Sequence, residues 1–178
     1  MLEQGRYTWR HDNILNYIAK VITNNLKDGI TVFVDIPEYN INGGTIPPSV
    51  VVTSQRPDIV IIDSNTTPST VWLYELTAPF ELNIDSSNSY KKDKYHGLKN
   101  DIEENGYKCH LVPFEIGSRG YIPRRVKLSL CSMFSTTTNI RNSLEHVKIV
   151  SKLSLLSSFT IFHSRKEKSW ANPPFLNP

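Results

Sequence analysis

The stretch RPDIVIIDSNTTPSTVWLYELTAPF (residues 56–80) decides the fold of this chain. Its two halves, RPDIVIID (56–63) and VWLYELTAPF (71–80), are rich in β-branched and aromatic residues, which favours strands. The turn residues of SNTTPS lie between them, so the two strands can pair as an antiparallel hairpin. One half contains Asp58 and the other contains Glu75. A charge inside an apolar strand is costly unless it is paired, hydrogen-bonded or bound to a metal.

The segments on either side of this hairpin predict an α/β fold. Apolar residues recur at helical spacing before the first strand and after the third, and β-branched runs mark the other strands. The predicted elements are, in chain order, helix 12–27, strand 30–36, strands 56–63 and 71–80, helix 86–105, strand 108–117 and a last helix over about 139–158. The first three strands can form antiparallel hairpins, and the fourth follows a helix, so it can join by a crossover. We therefore expect a mixed four-stranded sheet flanked by helices.

Length and composition are typical of one globular domain. The 178 residues, 39% of them hydrophobic, suit a single core, which we place at residues 1–165 with an irregular tail at 166–178. No apolar run reaches the roughly 18 residues of a membrane span, and the first residues lack a secretory signal. The two cysteines form no metal-ligand pattern. These features predict a soluble, intracellular protein, and the net charge of +3 is compatible with a polyanionic partner.

Asp58 and Glu75 are the candidate catalytic pair. In adjacent antiparallel strands the two carboxylates can point to one face and lie side by side. They repel each other at close range, and a divalent cation such as Mg²⁺ relieves that repulsion. Such an ion can activate water and stabilise charge on a phosphodiester. The alternative is that Glu75 faces solvent at a sheet edge and that Pro57-Asp58 is only a turn.

The order of these residues resembles a known nuclease signature. Pro57-Asp58, sixteen residues and then Glu75 resemble the PD-(D/E)XK nuclease superfamily. The stretch Arg10-His11-Asp12 upstream, and Lys91 with Tyr95 downstream, is similar to the restriction-like endonuclease of site-specific non-LTR retrotransposons. The resemblance covers about residues 5–121. It implies a restriction-endonuclease-like core and a Mg²⁺ or Mn²⁺ ion held by Asp58, Glu75 and the backbone carbonyl of Leu76.

The chain departs from that signature at Thr77, where the superfamily usually has a lysine two residues after the glutamate. The resemblance implies that the lysine has migrated to the following helix. Lys91 lies on an otherwise apolar helical stripe and is the first choice for the catalytic lysine. Lys94 lies about 60° from the centre of that stripe and is the second choice. Alternatively, these lysines form a solvated basic face. The stripe consists of Lys91, Tyr95, Leu98 and Ile102.

Four residues are candidates for contact with nucleic acid. The resemblance places Arg10, His11 and Tyr95 in the active-site region, where Arg10 could contact a phosphate. Arg10 and His11 stand just before the predicted first helix, in which Asp12 can serve as the N-cap. Gly117-Ser118-Arg119-Gly120 could hold a phosphate through backbone N–H groups and Arg119. The alternatives are an ordinary basic turn and a plain loop.

These features together predict a Mg²⁺- or Mn²⁺-dependent DNA endonuclease with an intracellular, nuclear location. One active site of this kind cuts one strand, so double-strand cleavage needs a homodimer or two sequential events. The resemblance also implies a reverse transcriptase in a longer protein.

A second hypothesis, motivated by Thr77, is an inactive member of the same fold that binds nucleic acid without cutting it. A third is a protein-interaction scaffold derived from a mobile element.

Overall fold

The computed structural model describes residues 2–41, 43–167 and 169–177. Two short 3₁₀ helices, Glu81–Asn83 and Ser164–Lys166, accompany the longer elements. In these ranges the longer elements are, in chain order, α1 (Leu2–Thr23), β1 (Ile30–Val34), β2 (Ile59–Asp63), β3 (Thr70–Thr77), α2 (Ile84–Glu104), β4 (Lys108–Glu115), α3 (Arg124–Thr137) and α4 (Ser143–His163).

The strands form one mixed sheet in the order β1-β2-β3-β4. β1 pairs with β2, and β2 pairs with β3, both antiparallel, whereas β4 lies parallel to β3 after the crossover through α2. The predicted α/β class, the mixed four-stranded sheet and its two kinds of connection are therefore confirmed. The alternation of side chains along β2 and β3 decides which residues face each layer of helices.

Helices cover both faces of this sheet. One face packs against α1, α3 and α4 through a large apolar core that includes Ile59, Ile61 and Leu76. The other face packs against α2 through a second cluster that includes Val71 and Leu73. Glu75 is the next residue along β3 in the same alternating row as Val71 and Leu73, so the row continues from an apolar cluster into a carboxylate.

α1 begins at Leu2, ten residues before the predicted start at Asp12. Asp12 therefore lies inside the helix, and the prediction that it is an N-cap is wrong. Arg10 and His11 likewise lie within α1 and not before it. The early turns bury Arg6 and Trp9. An apolar periodicity that begins at Ile14 does not extend back to these residues, so it could not reveal these turns.

α3 is absent from the prediction, and α4 occupies Ser143–His163 where about 139–158 was expected. Four buried residues of α3, namely Val126, Leu130, Met133 and Phe134, recur at helical spacing. Serine, threonine and basic residues lie between these apolar residues in the sequence. The apolar face of α3 was therefore not recognised from the sequence. The described residues therefore contain four longer helices, where three were predicted.

The C-terminal segment packs along α1. The indole Nε1 of Trp9 donates to the carbonyl of Pro173 at 2.8 Å, and the backbone N–H of Leu176 donates to the side-chain oxygen of Asn13 at 2.9 Å. The Trp9 and Trp170 rings meet edge to face with centroids 5.7 Å apart. In the described part of the chain, no helix is both long and apolar enough to cross a lipid bilayer.

Candidate active site

Asp58 and Glu75 lie side by side at the end of the β2–β3 pairing. The antiparallel register joins Ile59 to Tyr74, which brings the preceding and the following residue together. The backbone N–H of Asp58 donates to Glu75 Oε2 at 3.1 Å, and that of Leu76 donates to Asp58 Oδ2 at 2.7 Å. The exposed fractions are 8% for Asp58 and 3% for Glu75. The alternative in which Glu75 faces solvent is therefore wrong.

α2 presents Lys91 to this carboxylate pair. Tyr95, Leu98 and Ile102 are buried against the sheet, and Lys91 lies on the same stripe one turn earlier. Its ammonium group donates a hydrogen bond to Glu75 Oε1, and its side chain is only 17% exposed. The predicted inward orientation of Lys91 is confirmed, and the solvated alternative is excluded for this lysine. Its catalytic role remains a prediction.

Lys94 approaches the same carboxylate from the solvent side. Its Nζ lies 3.8 Å from Glu75 Oε1 and 2.8 Å from the hydroxyl of Tyr95, and 40% of its side chain is exposed. The Lys94 charge also lies 4.4 Å from the centroid of the Tyr95 ring. Two lysines from one helix therefore reach one oxygen of Glu75, with Lys91 nearer and better shielded.

Tyr95 has an exposed fraction of 0%, which is at odds with its predicted contact with nucleic acid. Its hydroxyl lies 3.2 Å from Glu75 Oε1 and 3.1 Å from the carbonyl oxygen of Arg56, and either oxygen can accept a hydrogen bond from it. Burial and the charge of Glu75 raise the pKa of Tyr95, so the phenol stays protonated. We assign Tyr95 to the support of Glu75 instead.

Glu75 has a raised pKa. Burial raises it most, the neighbouring negative charge of Asp58 raises it further, and the hydrogen bond from Lys91 acts in the opposite direction. A buried carboxylate of this kind gains from any cation that comes within reach. The site therefore favours positive charge at the oxygens of Asp58 and Glu75.

His11 contacts Asp58 from α1. Its Nε2 lies 3.2 Å from Asp58 Oδ2, and its Nδ1 lies 3.0 Å from Asp12 Oδ1. Burial alone would lower the pKa of His11, but the hydrogen bonds to Asp12 and Asp58 raise it to about 10. The imidazolium therefore bridges two carboxylates at neutral pH. Asp12, which was predicted as an N-cap, holds His11 in place.

The donor set fits a hard divalent cation. Asp58 and Glu75 offer carboxylate oxygens, and Leu76, which follows Glu75 in β3, was predicted to add its carbonyl oxygen. Mg²⁺ uses one or two carboxylates and keeps several waters. No group of three or more His, Cys, Asp or Glu side chains with metal-binding geometry occurs within the described residues. The Lys91 ammonium now lies at Glu75 Oε1, so it must move for a cation to use that oxygen.

Arg10 precedes His11 on α1 and lies near the candidate site. Its guanidinium donates to the hydroxyl of Ser158 at 3.1 Å and to the carbonyl oxygen of Ala78. Its Nε is buried without a hydrogen-bond partner, and no carboxylate within the described ranges forms an ion pair with it. With His11 and Lys91, Arg10 borders a cavity of about 370 Å³. The structure therefore brings Arg10 to the site, as predicted.

Arg119 lies in a loop that is closed by Glu81. The Arg119 backbone N–H and Nε donate to the two carboxylate oxygens of Glu81 at 2.8 and 3.0 Å. The N–H groups of Gly117, Ser118 and Gly120 donate to carbonyl oxygens of the chain. All four N–H groups are thus occupied, and the prediction that this loop cradles a phosphate through its backbone is wrong. The Arg119 side chain remains 67% exposed.

One buried charged group near the site was missed. Glu115 ends β4 with an exposed fraction of 0%. Its two oxygens accept hydrogen bonds from Asn88 of α2 at 2.9 Å and from Arg125 of α3 at 3.2 Å. A glutamate at the end of the apolar run LVPFE, followed by an arginine ten residues later, is the only sign of this contact in the sequence.

A comparison of the chain with protein-family models and with curated protein sequences found no match.

Proposed function

We propose that this chain is a Mg²⁺- or Mn²⁺-dependent endonuclease that hydrolyses DNA, with a restriction-endonuclease-like core. The contact between Lys91 and Glu75 carries the proposal. It supports a migrated catalytic lysine, since Lys91 comes from the next helix and compensates for Thr77 at the usual position. A buried carboxylate pair with an adjacent lysine is the combination that metal-assisted phosphodiester hydrolysis needs.

Each residue has a distinct part in the proposed reaction. Asp58, Glu75 and the carbonyl of Leu76 would hold the divalent cation, which activates the attacking water and stabilises negative charge on the phosphate. Lys91, once released from Glu75, donates hydrogen bonds to the attacking water or to the phosphate oxygens. Lys94 provides a second positive charge on the solvent side of the same oxygen. Tyr95 and His11 do not react and instead fix the orientation of Glu75 and Asp58.

The remaining proposals follow from a DNA substrate. Arg10 shares a cavity with Lys91 and forms no ion pair in the described residues, which suits a backbone phosphate. The Arg119 side chain is exposed and pairs with Glu81, and it is a second candidate for contact with DNA further from the site. A homodimer, or two successive cuts, would break both strands. We also propose a nuclear location, and a link to a reverse transcriptase in a longer protein, on the resemblance described above.

An inactive DNA-binding protein is the second candidate function. It is favoured by Thr77 and by the occupied oxygens of Glu75, which accept hydrogen bonds from Lys91 and from the backbone of Asp58. In that case the lysine would neutralise a carboxylate that no longer binds a metal. The two candidates differ in whether a divalent cation can displace Lys91.

Plasmid nicking tests the proposal directly. Supercoiled DNA is incubated with the wild-type protein in Mg²⁺, in Mn²⁺ and in EDTA, and the nicked form is quantified on a gel. Asp58→Asn and Glu75→Gln keep the side-chain shapes but remove the charges that hold the cation. We expect nicking only with a divalent cation and a loss of at least about a hundredfold in each variant.

Glu103→Gln is the matched control, because Glu103 is an exposed carboxylate of α2 that pairs with Lys99. We expect it to nick DNA at the wild-type rate. Nicking that continues in EDTA, or in Asp58→Asn and Glu75→Gln, would refute the proposed metal site. A wild-type protein that binds DNA in a salt-sensitive way but never nicks it would establish the second candidate function.

A further inference from the structure

Two adjoining cavities form a groove beside the carboxylates. They share the lining residues Tyr7, Arg10, Ala78 and Pro79. The first, of about 370 Å³, reaches Lys91 at the candidate active site. The second, of about 440 Å³, continues away from the site to Phe80. We call the two cavities together the Tyr7–Phe80 groove. Each is of the size that holds a small-molecule ligand.

Two exposed aromatic side chains mark the groove. The exposed fractions are 53% for Tyr7 and 48% for Phe80, which is high for large rings that border a cavity. Each ring has a guanidinium group near its face: the Arg10 Cζ lies 5.4 Å from the centroid of Tyr7, and the Arg119 Cζ lies 4.9 Å from the centroid of Phe80. Aromatic rings and guanidinium planes are the surfaces on which unpaired bases stack.

The charge of the groove selects an anion. Arg10 borders both cavities and forms no ion pair with a carboxylate in the described part of the chain. Lys91 borders the end of the groove nearest the active site. A phosphate oxygen would satisfy such a guanidinium through a charge-assisted hydrogen bond. The groove thus combines a phosphate-binding cation with surfaces for flat apolar rings.

This combination distinguishes a single strand from a duplex. Bases inside a duplex are already stacked and paired, so they cannot use exposed rings, whereas every unpaired base offers a face. A groove that recognised only the backbone of a duplex would need cations but would gain nothing from Tyr7 and Phe80.

We propose that the Tyr7–Phe80 groove binds unpaired DNA nucleotides next to the phosphate to be cut, with bases on Tyr7 and Phe80 and a phosphate on Arg10. The protein would then act at a junction or on a single strand in preference to continuous duplex. The inference rests on the proposed function for the cut itself, but binding to the groove can be measured without cleavage.

Fluorescence anisotropy in EDTA provides that measurement. The probes are a labelled single strand of about 12 nucleotides and a blunt duplex of the same sequence. Tyr7→Leu with Phe80→Leu keeps the groove apolar but removes both rings. Phe162→Leu is the matched control, because Phe162 is 57% exposed and also carries a guanidinium, that of Arg165 at 3.7 Å, but borders neither cavity.

We expect the wild-type protein to bind the single strand more tightly than the duplex. The double variant should lose about five- to a hundredfold in single-strand affinity, as for the loss of one or two stacked bases, and should bind the duplex as before. Phe162→Leu should bind both probes like the wild type. Equal wild-type affinity for the two probes, or a double variant that binds the single strand like Phe162→Leu, would overturn the inference.

Nicking by the same proteins separates this inference from the proposed function. One outcome is cleavage that requires Glu75 and yet proceeds equally well in the double variant, on both forked and continuous substrates. That result would refute nucleotide binding in the groove and support the proposed nuclease activity. Loss of single-strand binding in the double variant of a protein that never cleaves would support the groove and refute the nuclease.

Discussion

Glu75 is the residue at which the candidate site is assembled. Its carboxylate is buried and lies next to a second carboxylate, so it depends on the groups that surround it. Lys91, Lys94 and Tyr95 converge on one of its oxygens, and the backbone of Asp58 donates to the other. The three side chains come from a single turn of α2. The position of that turn therefore controls the charge state of the whole site.

Lys91 and Lys94 should differ in their effect on cleavage. Lys91→Met removes the charge nearest Glu75 in a shielded position, and we expect the single-turnover nicking rate to fall by about 10²- to 10³-fold. Lys94→Met removes a charge that is 40% exposed and weakened by solvent, and we expect a fall of about tenfold or less. The rates are measured at saturating protein with Mg²⁺.

Lys99→Met serves as the control for these two changes, because Lys99 pairs with Glu103 on another side of α2. The assignment would be reversed by a Lys94→Met variant that loses more activity than Lys91→Met. If both variants nicked DNA like the control, neither lysine would be the migrated one.

The inward orientation of Lys91 could be predicted from the sequence, whereas the contacts of Tyr95 could not. A helical stripe of apolar residues predicts the direction in which its polar member points. The spacing of Lys91 from Tyr95, Leu98 and Ile102 was sufficient to predict that Lys91 faces the sheet. Whether a tyrosine on that stripe meets DNA or a buried carboxylate depends on its depth below the surface, which periodicity does not report. His11 was placed at the site only by the resemblance, and its bridge between Asp12 and Asp58 required the packing of α1.

α2 is held to the sheet by a polar contact as well as by its apolar stripe. Glu115, at the end of β4, accepts hydrogen bonds from Asn88, which lies just before Lys91 on α2, and from Arg125 of α3. One fully buried carboxylate thus joins a strand and two helices. A buried charge that is fully paired is costly to disturb.

Glu115→Gln should lower the free energy of unfolding by about 1–3 kcal/mol, because the amide keeps the shape but loses the charge-assisted bond to Arg125. Urea unfolding followed by circular dichroism measures the change. Glu145→Gln is the control, since Glu145 is exposed and pairs only with Lys148, and it should change the value by less than about 0.5 kcal/mol. Equal values for the two variants would show that Glu115 does not hold α2 in place.

Among the elements, the strands and α2 were predictable, whereas the start of α1 and the whole of α3 were not. The hairpin around residues 56–80 has two continuous apolar runs with a clear turn between them, and helices cover both faces of its strands, so local pattern and tertiary packing agree. The first turns of α1 bury Arg6 and Trp9, and the four buried apolar residues of α3 lie among serines and threonines. In both cases the buried face is assembled by neighbours far along the chain, which a local pattern does not contain.

At the scale of the whole molecule, an irregular segment near one end of the chain supports a helix at the other. Residues 170–176 run along α1 and contact Trp9 and Asn13. Trp170 also lies under the guanidinium of Arg6, whose Cζ is 5.3 Å from its ring. α1 also carries Arg10 and His11. The packing of residues 170–176 therefore supports the helix that contributes to both the groove and the carboxylate pair.

Trp170→Ala should therefore lower the free energy of unfolding by about 1–3 kcal/mol, through the loss of a half-buried ring and of its edge-to-face contact with Trp9. Urea unfolding followed by circular dichroism measures the change. Tyr121→Ala, at a ring that is 58% exposed, provides the comparison and should have little effect. An unchanged stability in Trp170→Ala would mean that the segment does not contribute to the fold.

Arg10 and His11 are consecutive residues of one rigid helix, and this has a thermodynamic consequence. Arg10 borders the Tyr7–Phe80 groove, and His11 holds Asp58. Two ligands whose binding sites share an element cannot be independent if either one shifts that element. If a ligand in the groove raises the affinity of the carboxylates for a cation by some factor, the bound cation raises the affinity of the groove for that ligand by the same factor. α1 would then couple recognition of a strand to readiness to cut it.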